Sequence, residues 1–179
     1  MSTAPRPRIS VFIAVSLDGY IARADGSLDW LSRVQLEGED YGYQRFFDSV
    51  DALVIGRQTY DTALGFESWP YADKRCIVLT SRSASALHNE EFFDGPVPAL
   101  AEKLGAEGAN HAYIDGGNVI QQFLAANLVD EVTLSIIPVL LGAGIRLFAK
   151  DAPEQALVLE ESRSWPTGLT QVRYRLGKR

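Results

Sequence analysis

One stretch of the chain, residues 111–124, constrains the fold more than any other. It begins with the short apolar sequence His-Ala-Tyr-Ile-Asp, which favours a strand, and two glycines follow at once, Gly116 and Gly117. Apolar residues then recur at helical spacing, at Val119, Ile120, Phe123 and Leu124. The stretch therefore predicts a strand that turns through two glycines into a helix.

A turn of this kind is suited to an anion. The first backbone N–H groups of a helix have no partner within the helix, and the helix dipole adds to their attraction for negative charge. Because glycine has no Cβ, a phosphate can approach Gly116 and Gly117 closely. The alternative is a tight connection without a ligand, in which glycine only supplies the backbone angles. Both interpretations stay open at this point.

Two further predicted strands end in residues with similar chemistry. The apolar residues 52–55 run into the sequence Gly-Arg-Gln-Thr-Tyr at 56–60, and the strand at 75–80 is followed by Ser81 and Arg82. Arginine and hydroxyl groups bind phosphate well, although a single arginine is as readily a solvated surface side chain. Ligands of parallel sheets bind beyond the carboxyl ends of the strands. Three such loops together predict a dinucleotide with several phosphates.

Strands and helices alternate along the chain. The remaining patterns are strands at residues 9–15, 132–136, 156–161 and 169–176 and helices at residues 39–50 and 97–104. Residues 142–148 allow no assignment. The alternation predicts an α/β fold, a three-layer αβα sandwich with a mostly parallel sheet and an antiparallel C-terminal hairpin. We expect residues 1–179 to form a single domain with a flexible N-terminus at residues 1–7.

Composition and charge exclude several classes of protein. A net charge of −6 argues against nucleic-acid or anionic-membrane partners, which favour a basic surface. No apolar run is long enough to span a bilayer, and we expect no signal peptide. The single cysteine, Cys76, excludes an internal disulfide and fits a cytoplasmic protein. His88 and His111 lie far apart without Cys or His partners, so we predict no metal site.

The loop at residues 16–30 is long for a compact domain. Loops of this length are more often functional than idle. Its apolar and aromatic side chains are Tyr20, Ile21, Leu28 and Trp30. They either fold over a ligand or only attach the loop to the core.

The chain resembles the dihydrofolate reductase-like superfamily, in particular the branch with the reductase domain of bacterial riboflavin biosynthesis. The motifs that carry this resemblance lie at residues 16–22 (Ser-Leu-Asp-Gly-Tyr-Ile-Ala), 56–60, 78–82 (Val-Leu-Thr-Ser-Arg), 114–119 (Ile-Asp-Gly-Gly-Asn-Val) and 138–144 (Pro-Val-Leu-Leu-Gly-Ala-Gly). The resemblance implies an NADPH-dependent reductase, usually a homodimer, that transfers a hydride to a small pterin-, pyrimidine- or flavin-like heterocycle. The cofactor contacts it implies are Ala14, Ile21, Gly56, Arg57, Thr59, Leu79, Ser81, Arg82, Ile114, Gly116, Gly117, Asn118 and Val119.

The resemblance also implies a proton source. In folate-reducing relatives a carboxylate at the start of the first helix faces the pocket, and the residue in register here is Asp40. We expect burial against Tyr43 and Trp30, which we also predict to contact the substrate, to raise the pKa of Asp40 towards neutrality. The alternative is that Asp40 only complements the helix dipole. One departure from the family is Asp115, which replaces the first of three glycines with a carboxylate that either repels a phosphate or bonds a ribose.

Two other functions are weighed against the reductase. A Rossmann dehydrogenase requires Gly-x-Gly-x-x-Gly after the first strand, and residues 16–21 do not supply it. The second is a non-catalytic nucleotide-binding protein that keeps the fold. The presence of Arg57, Thr59 and Arg82 argues against it. The apolar run at residues 136–141 fits either a homodimer interface or the core.

Overall fold

The computed structural model describes residues 6–82 and 84–177. Its strands are β1 (Arg8–Ser16), β2 (Tyr20–Ala22), β3 (Ala52–Gly56), β4 (Arg75–Leu79), β5 (Glu90–Phe93), β6 (His111–Asp115), β7 (Glu131–Ile137), β8 (Ile145–Arg146), β9 (Leu157–Ser164) and β10 (Thr170–Leu176). Its α-helices are α1 (Tyr43–Asp48), α2 (Arg57–Ala63), α3 (Val97–Ala106) and α4 (Gly117–Ala125), and a 3-10 helix spans Asp29–Val34.

Eight of these strands form one sheet in the order β5-β4-β3-β6-β1-β7-β10-β9. The six strands from β5 to β7 run parallel, and β10 and β9 pair antiparallel at the other edge. The predicted fold, a mostly parallel sheet with an antiparallel C-terminal hairpin, is therefore confirmed. Because the strands are parallel, the carboxyl ends of β4, β3, β6 and β1 meet at one end of the sheet.

Helices cover both faces of the sheet. Successive side chains of a strand point to opposite faces, and β3 shows the result. Val54 lies in a buried cluster with residues of α3 and α4, whereas its neighbour Ile55 lies in a second cluster with residues of α1 and α2. Both side chains are fully buried. The sequence of β3 is therefore a continuous apolar run, because helices cover this strand on both faces.

The first helix is shorter than the sequence predicts. The apolar pattern favours a helix over residues 39–50, but α1 spans only Tyr43–Asp48. Tyr41 and Gly42 have φ angles of 56° and 83°, in the left-handed region. A right-handed helix cannot pass through that conformation, so the segment before Tyr43 forms a loop.

The sequence does not predict three of the strands. β2 and β8 have three and two residues, too few to show a pattern, and β8 lies in the segment that allowed no assignment. β5 lacks the expected alternation because its first residue, Glu90, is a buried acid. The Glu90 carboxylate accepts hydrogen bonds from the Tyr60 hydroxyl and the Leu87 backbone N–H, both at 2.7 Å.

The start of the described chain is attached to the sheet. Arg6 donates two hydrogen bonds to the Asp130 carboxylate, at 2.7 and 2.9 Å, and Pro7 is buried. The predicted flexible N-terminus therefore does not include residues 6 and 7, and residues 1–5 lie outside the described part. No helix among the described residues is long and apolar enough to cross a membrane.

The motif at residues 16–22 fastens the loop that follows β1. The Asp18 carboxylate accepts hydrogen bonds from the Ser16 hydroxyl at 2.6 Å and from the backbone N–H groups of Leu141 and Gly142 at 3.0 and 2.7 Å. Next to this contact, β2 pairs with β8. At least part of this family motif is therefore structural, because it joins the loop after β1 to the loop after β7.

Gly144 is required where those two loops meet. Its φ is 144°, and a Cβ added there would lie 2.2 Å from the Ala22 carbonyl oxygen. We predict that Gly144→Ala lowers the free energy of unfolding by roughly 2–5 kcal/mol, through backbone strain plus this overlap. Gly142→Ala is the matched control, since its φ is 74° but no atom lies within 4 Å. Strain alone should cost the control about 1–2 kcal/mol in urea unfolding, and equal losses in both variants would contradict the role of the overlap.

The Asp18 contact should weaken in acid. Hydrogen bonds from Ser16, then from Gly142 and Leu141, lower the pKa of Asp18 to about 2, below the value of about 3.9 for an unfolded Asp. The carboxylate thus stabilises the fold fully above about pH 4, and this contribution is lost as the pH falls towards about 2. Urea midpoints of the wild type and Asp18→Asn should converge over that window. A difference between the two that stays constant down to about pH 2 would contradict this assignment.

Candidate functional site

A cavity of about 740 Å³ opens beyond the carboxyl ends of β1, β3 and β6. The loop after β1 forms one wall, with Ile21 and Leu28, and the segment before α1 forms another, with Asp40 and Tyr41. The cavity therefore lies between that loop and the segment before the first helix. Its volume is typical of sites for small organic ligands. Among the described residues, no cluster of three His, Cys, Asp or Glu side chains is arranged to hold a metal ion.

The turn between β6 and α4 packs tightly against the turn between β3 and α2. Gly116 has a φ of 96°, and a Cβ there would lie 2.8 Å from Thr59 Oγ1 and 3.7 Å from the backbone nitrogen of Gly56. A Cβ on Gly117 would lie 2.9 Å from Ile21 Cδ1. A side chain at either glycine would therefore require Thr59 or Ile21 to move, and at Gly116 it would also meet the unfavourable positive φ. The glycines allow the turns to pack closely, and they also border the cavity, so both interpretations that the sequence allowed stay open.

The first turn of α4 offers hydrogen-bond donors to the cavity. No side chain caps this helix, and its first three residues, Gly117, Asn118 and Val119, line the cavity. The backbone N–H groups of a first helical turn have no acceptor within the helix. An anionic group in the cavity can therefore accept hydrogen bonds from this turn, and the positive end of the helix dipole adds to its stabilisation.

Asp115 brings a carboxyl group to the cavity wall. It ends β6, is half-buried, and accepts a hydrogen bond from the Gly116 N–H at 2.8 Å. Burial raises the pKa of Asp115 despite that hydrogen bond. The aromatic rings of Tyr43, Tyr113 and Phe12 line the same part of the cavity. A carboxyl group in such surroundings holds its proton to a higher pH than an exposed one.

Asp40 has the opposite character. It lines the cavity, but it is exposed rather than buried. Its carboxylate accepts hydrogen bonds from the backbone N–H groups of Gln44 and Gly42, both at 2.8 Å, and these lower its pKa. The expectation that burial raises the pKa of Asp40 is therefore wrong. Its contacts are those of a carboxylate that caps the start of α1, the alternative considered from the sequence.

The structure brings most of the predicted site residues together. Those that line the cavity are Ala14, Ile21, Gly56, Thr59, Gly116, Gly117, Asn118 and Val119 among the predicted cofactor contacts, together with Asp40 and Tyr43. Their roles towards a ligand stay predictions. Asp115 lines the cavity too, and the sequence marked it only as a departure from the glycine expected there.

Trp30 and Ile114 do not line the cavity. Trp30 is 2% exposed and packs with Val34, Ile137 and Leu169, which themselves line the cavity. The prediction that Trp30 contacts a substrate is therefore corrected, because its indole supports the wall from behind. Ile114 is fully buried in the core, so its side chain is separated from the cavity.

Four predicted cofactor residues lie beyond the cavity, at neighbouring strand ends. Leu79 pairs with Gly56 in the sheet, so Ser81 and Arg82 follow a strand end adjacent to that of β3. Ser81 and Arg82 are exposed. Arg57, the first residue of α2, donates a hydrogen bond to Asp61 at 2.8 Å. The two guanidinium groups therefore follow adjacent strands at the same end of the sheet.

Comparison with known proteins identifies the family. Residues 7–171 match the RibD C-terminal domain model. The chain is 36% identical over 159 residues to the uncharacterised protein YwjB of Bacillus subtilis, which covers 87% of this chain and 90% of YwjB. It is 29% identical over 161 residues to the riboflavin biosynthesis protein RibD of Corynebacterium ammoniagenes, covering 80% of this chain and 47% of that protein.

Solved structures agree. A Shewanella protein named "Putative riboflavin biosynthesis protein" superposes with a TM-score of 0.89 at 36% identity, covering 96% of this chain and 99% of that one. A pyrimidine reductase-like protein of Corynebacterium diphtheriae shares the fold, with a TM-score of 0.73 at 17% identity over 99% of this chain and 94% of that one. The resemblance inferred from the sequence motifs is confirmed, and the chain belongs to the RibD C-terminal domain family.

Proposed function

We propose that the protein is an NADPH-dependent reductase that transfers a hydride to a small heterocycle. One observation carries this proposal. The glycine turns after β3 and β6 pack against each other beside one cavity, which is bordered both by the uncapped first turn of α4 and by the neighbouring Asp115 carboxyl group of raised pKa, and which aromatic rings also line. Membership of a reductase-like family supports the same reading.

The cofactor end of the cavity is formed by the two turns. In the proposal, the N–H groups of Gly117, Asn118 and Val119 and the hydroxyl of Thr59 hold the phosphates, and Ile21 covers the nicotinamide. The absence of a capping side chain on α4 leaves those N–H groups for a ligand. When bound, NADPH supplies the hydride.

The substrate end requires a proton source, because reduction of a C=N bond adds a hydride to carbon and a proton to nitrogen. Asp115 suits this role better than Asp40. Burial raises the pKa of Asp115, whereas hydrogen bonds from Gln44 and Gly42 lower that of Asp40. A group whose pKa lies closer to the working pH is the better general acid. We therefore assign the proton to Asp115, and the Tyr43 ring to one side of the substrate.

The homodimer also remains part of the proposal. Within the apolar run at residues 136–141, Ile137 is buried but Leu140 is 69% exposed. An exposed leucine in such a run favours a partner surface. Sedimentation at micromolar protein concentration tests this assembly, and a monomer alone would contradict it.

The preference for NADPH over NADH should reside in Arg57 and Arg82. A charge-assisted contact with the 2′-phosphate is worth about 1.5–3 kcal/mol, so its loss should weaken NADPH binding roughly 10- to 100-fold and leave NADH binding nearly unchanged. Dissociation constants of both cofactors for Arg57→Ala and Arg82→Ala measure this. Arg175→Ala, on β10 towards the other edge of the sheet, is the control. Equal losses for both cofactors in both variants would rule out this role.

The assignment of the proton donor predicts different effects of two substitutions. Asp115→Asn keeps an acceptor for the Gly116 N–H but removes the acid, so we expect turnover to fall about 10²-fold or more with NADPH affinity nearly unchanged. Asp40→Asn keeps a side-chain oxygen that accepts hydrogen bonds at the start of α1, and it should change turnover by less than about threefold. In the wild type, turnover should fall as the pH rises through the raised pKa of Asp115, because only the protonated carboxyl donates.

The measurement is NADPH oxidation with a panel of pterins, pyrimidines and flavins, at several pH values. Normal turnover in Asp115→Asn with a loss in Asp40→Asn would restore the assignment made from the sequence. Tight NADPH binding without oxidation of any heterocycle would favour the non-catalytic alternative.

A further inference from the structure

The described residues that line the cavity include no lysine, arginine or histidine. They do include three acids, Glu39, Asp40 and Asp115. Asp115 ends β6 next to the start of α4, where backbone N–H groups can serve the phosphates of a dinucleotide, whereas Glu39 and Asp40 lie on the separate segment before α1. An anion placed there would lose its hydration and meet like charges without a cation to compensate.

The remaining surface beside that segment is apolar and aromatic. The edge of Tyr43 faces Phe12 with ring centroids 5.7 Å apart, and Tyr113 completes the group with its centroid 6.4 Å from that of Tyr43. The Tyr113 hydroxyl already donates a hydrogen bond to the Phe12 carbonyl oxygen at 3.1 Å. Flat rings of this kind favour a planar ligand.

A neighbouring hollow of about 450 Å³ shares Phe12 and Tyr41 with the cavity and contains arginines. Most of their charge is already engaged. Arg8 and Arg173 both pair with the buried Glu131, at 2.5 and 3.2 Å. Arg163 lies over the ring of Trp165, 4.6 Å from its centroid. Arg8 and Arg173 therefore compensate an acid, and Arg163 covers a ring, so Arg45 and Arg163 are the cations of this hollow without a described ion pair.

We propose that the substrate is an uncharged, planar aromatic heterocycle that carries no phosphate or carboxylate group. This inference rests on the proposed reductase function and narrows its substrate class. Glu39 and Asp40 exclude anionic substituents, the aromatic rings contact the heterocycle, and the Asp115 carboxyl faces one of its ring nitrogens. Phosphorylated or carboxylated versions of the same heterocycle are rejected.

Matched ligand pairs test this directly. The protein is first saturated with NADP⁺, which occupies the cofactor positions without supplying a hydride. Calorimetry at neutral pH then gives the dissociation constants of pterin and pterin-6-carboxylate, and of riboflavin and its 5′-phosphate. We expect the uncharged member of at least one pair to bind about tenfold or more tightly than its anionic partner. Asp40→Asn should reduce that ratio several-fold, whereas Asp48→Asn, on α1 but outside the cavity wall, should leave it unchanged.

Each other outcome overturns a distinct claim. Tighter binding of the anionic member, particularly if Arg45→Ala abolishes it, would make the neighbouring hollow an anion subsite and contradict the inference. Binding of neither member of either pair would contradict an aromatic heterocycle as the ligand. Failure of the protein to bind NADP⁺ at all would instead contradict the proposed function, before any substrate is considered.

Discussion

The close contact between two turns at the carboxyl end of the sheet organises this protein. Gly116 can press against Thr59 only because it lacks a side chain, and Gly117 does the same against Ile21. Parallel pairing of β3 with β6 sets these turns side by side, since Ile55 pairs with Asp115 one residue before each turn. The α4 N-terminus, the end of β6 and the loop after β1 consequently border one cavity. Because three elements meet at this cavity, we expect few substitutions of Gly116 and Gly117 to be tolerated.

Location also gives Asp115 and Asp40 different chemistry. Asp115 ends a central strand, and burial there raises its pKa. Asp40 precedes a helix, where the free N–H groups of Gly42 and Gln44 bind its charged form and lower its pKa. The pKa values of two carboxyl groups that line the same cavity are therefore shifted in opposite directions, because burial disfavours the charged form of Asp115 and hydrogen-bond donors stabilise the charged form of Asp40.

The sequence predicted the strands that are buried on both faces, because their apolar runs directly reflect that burial. Most of the cofactor residues implied by the resemblance line the cavity, and their roles towards an anion stay predictions. Prediction from the sequence failed where local conformation or burial opposes the pattern. The left-handed Tyr41 and Gly42 shorten α1, and a buried acid at Glu90 hides β5. The direction of the pKa shift of Asp40 was wrong, because backbone hydrogen bonds cannot be predicted from residue types. The position of Trp30 was wrong because the residues that line a cavity and the residues behind them are equally apolar.

The central claim is that one nicotinamide dinucleotide spans the paired turns and brings its reactive ring to Asp115. A crystal structure of the protein with NADP⁺ bound tests this most directly. We expect phosphate oxygens within hydrogen-bond distance of the N–H groups of residues 117–119, and the nicotinamide between the loop after β1 and the Asp115 carboxyl. A cofactor bound elsewhere, or bound with its nicotinamide outside the cavity, would contradict the account.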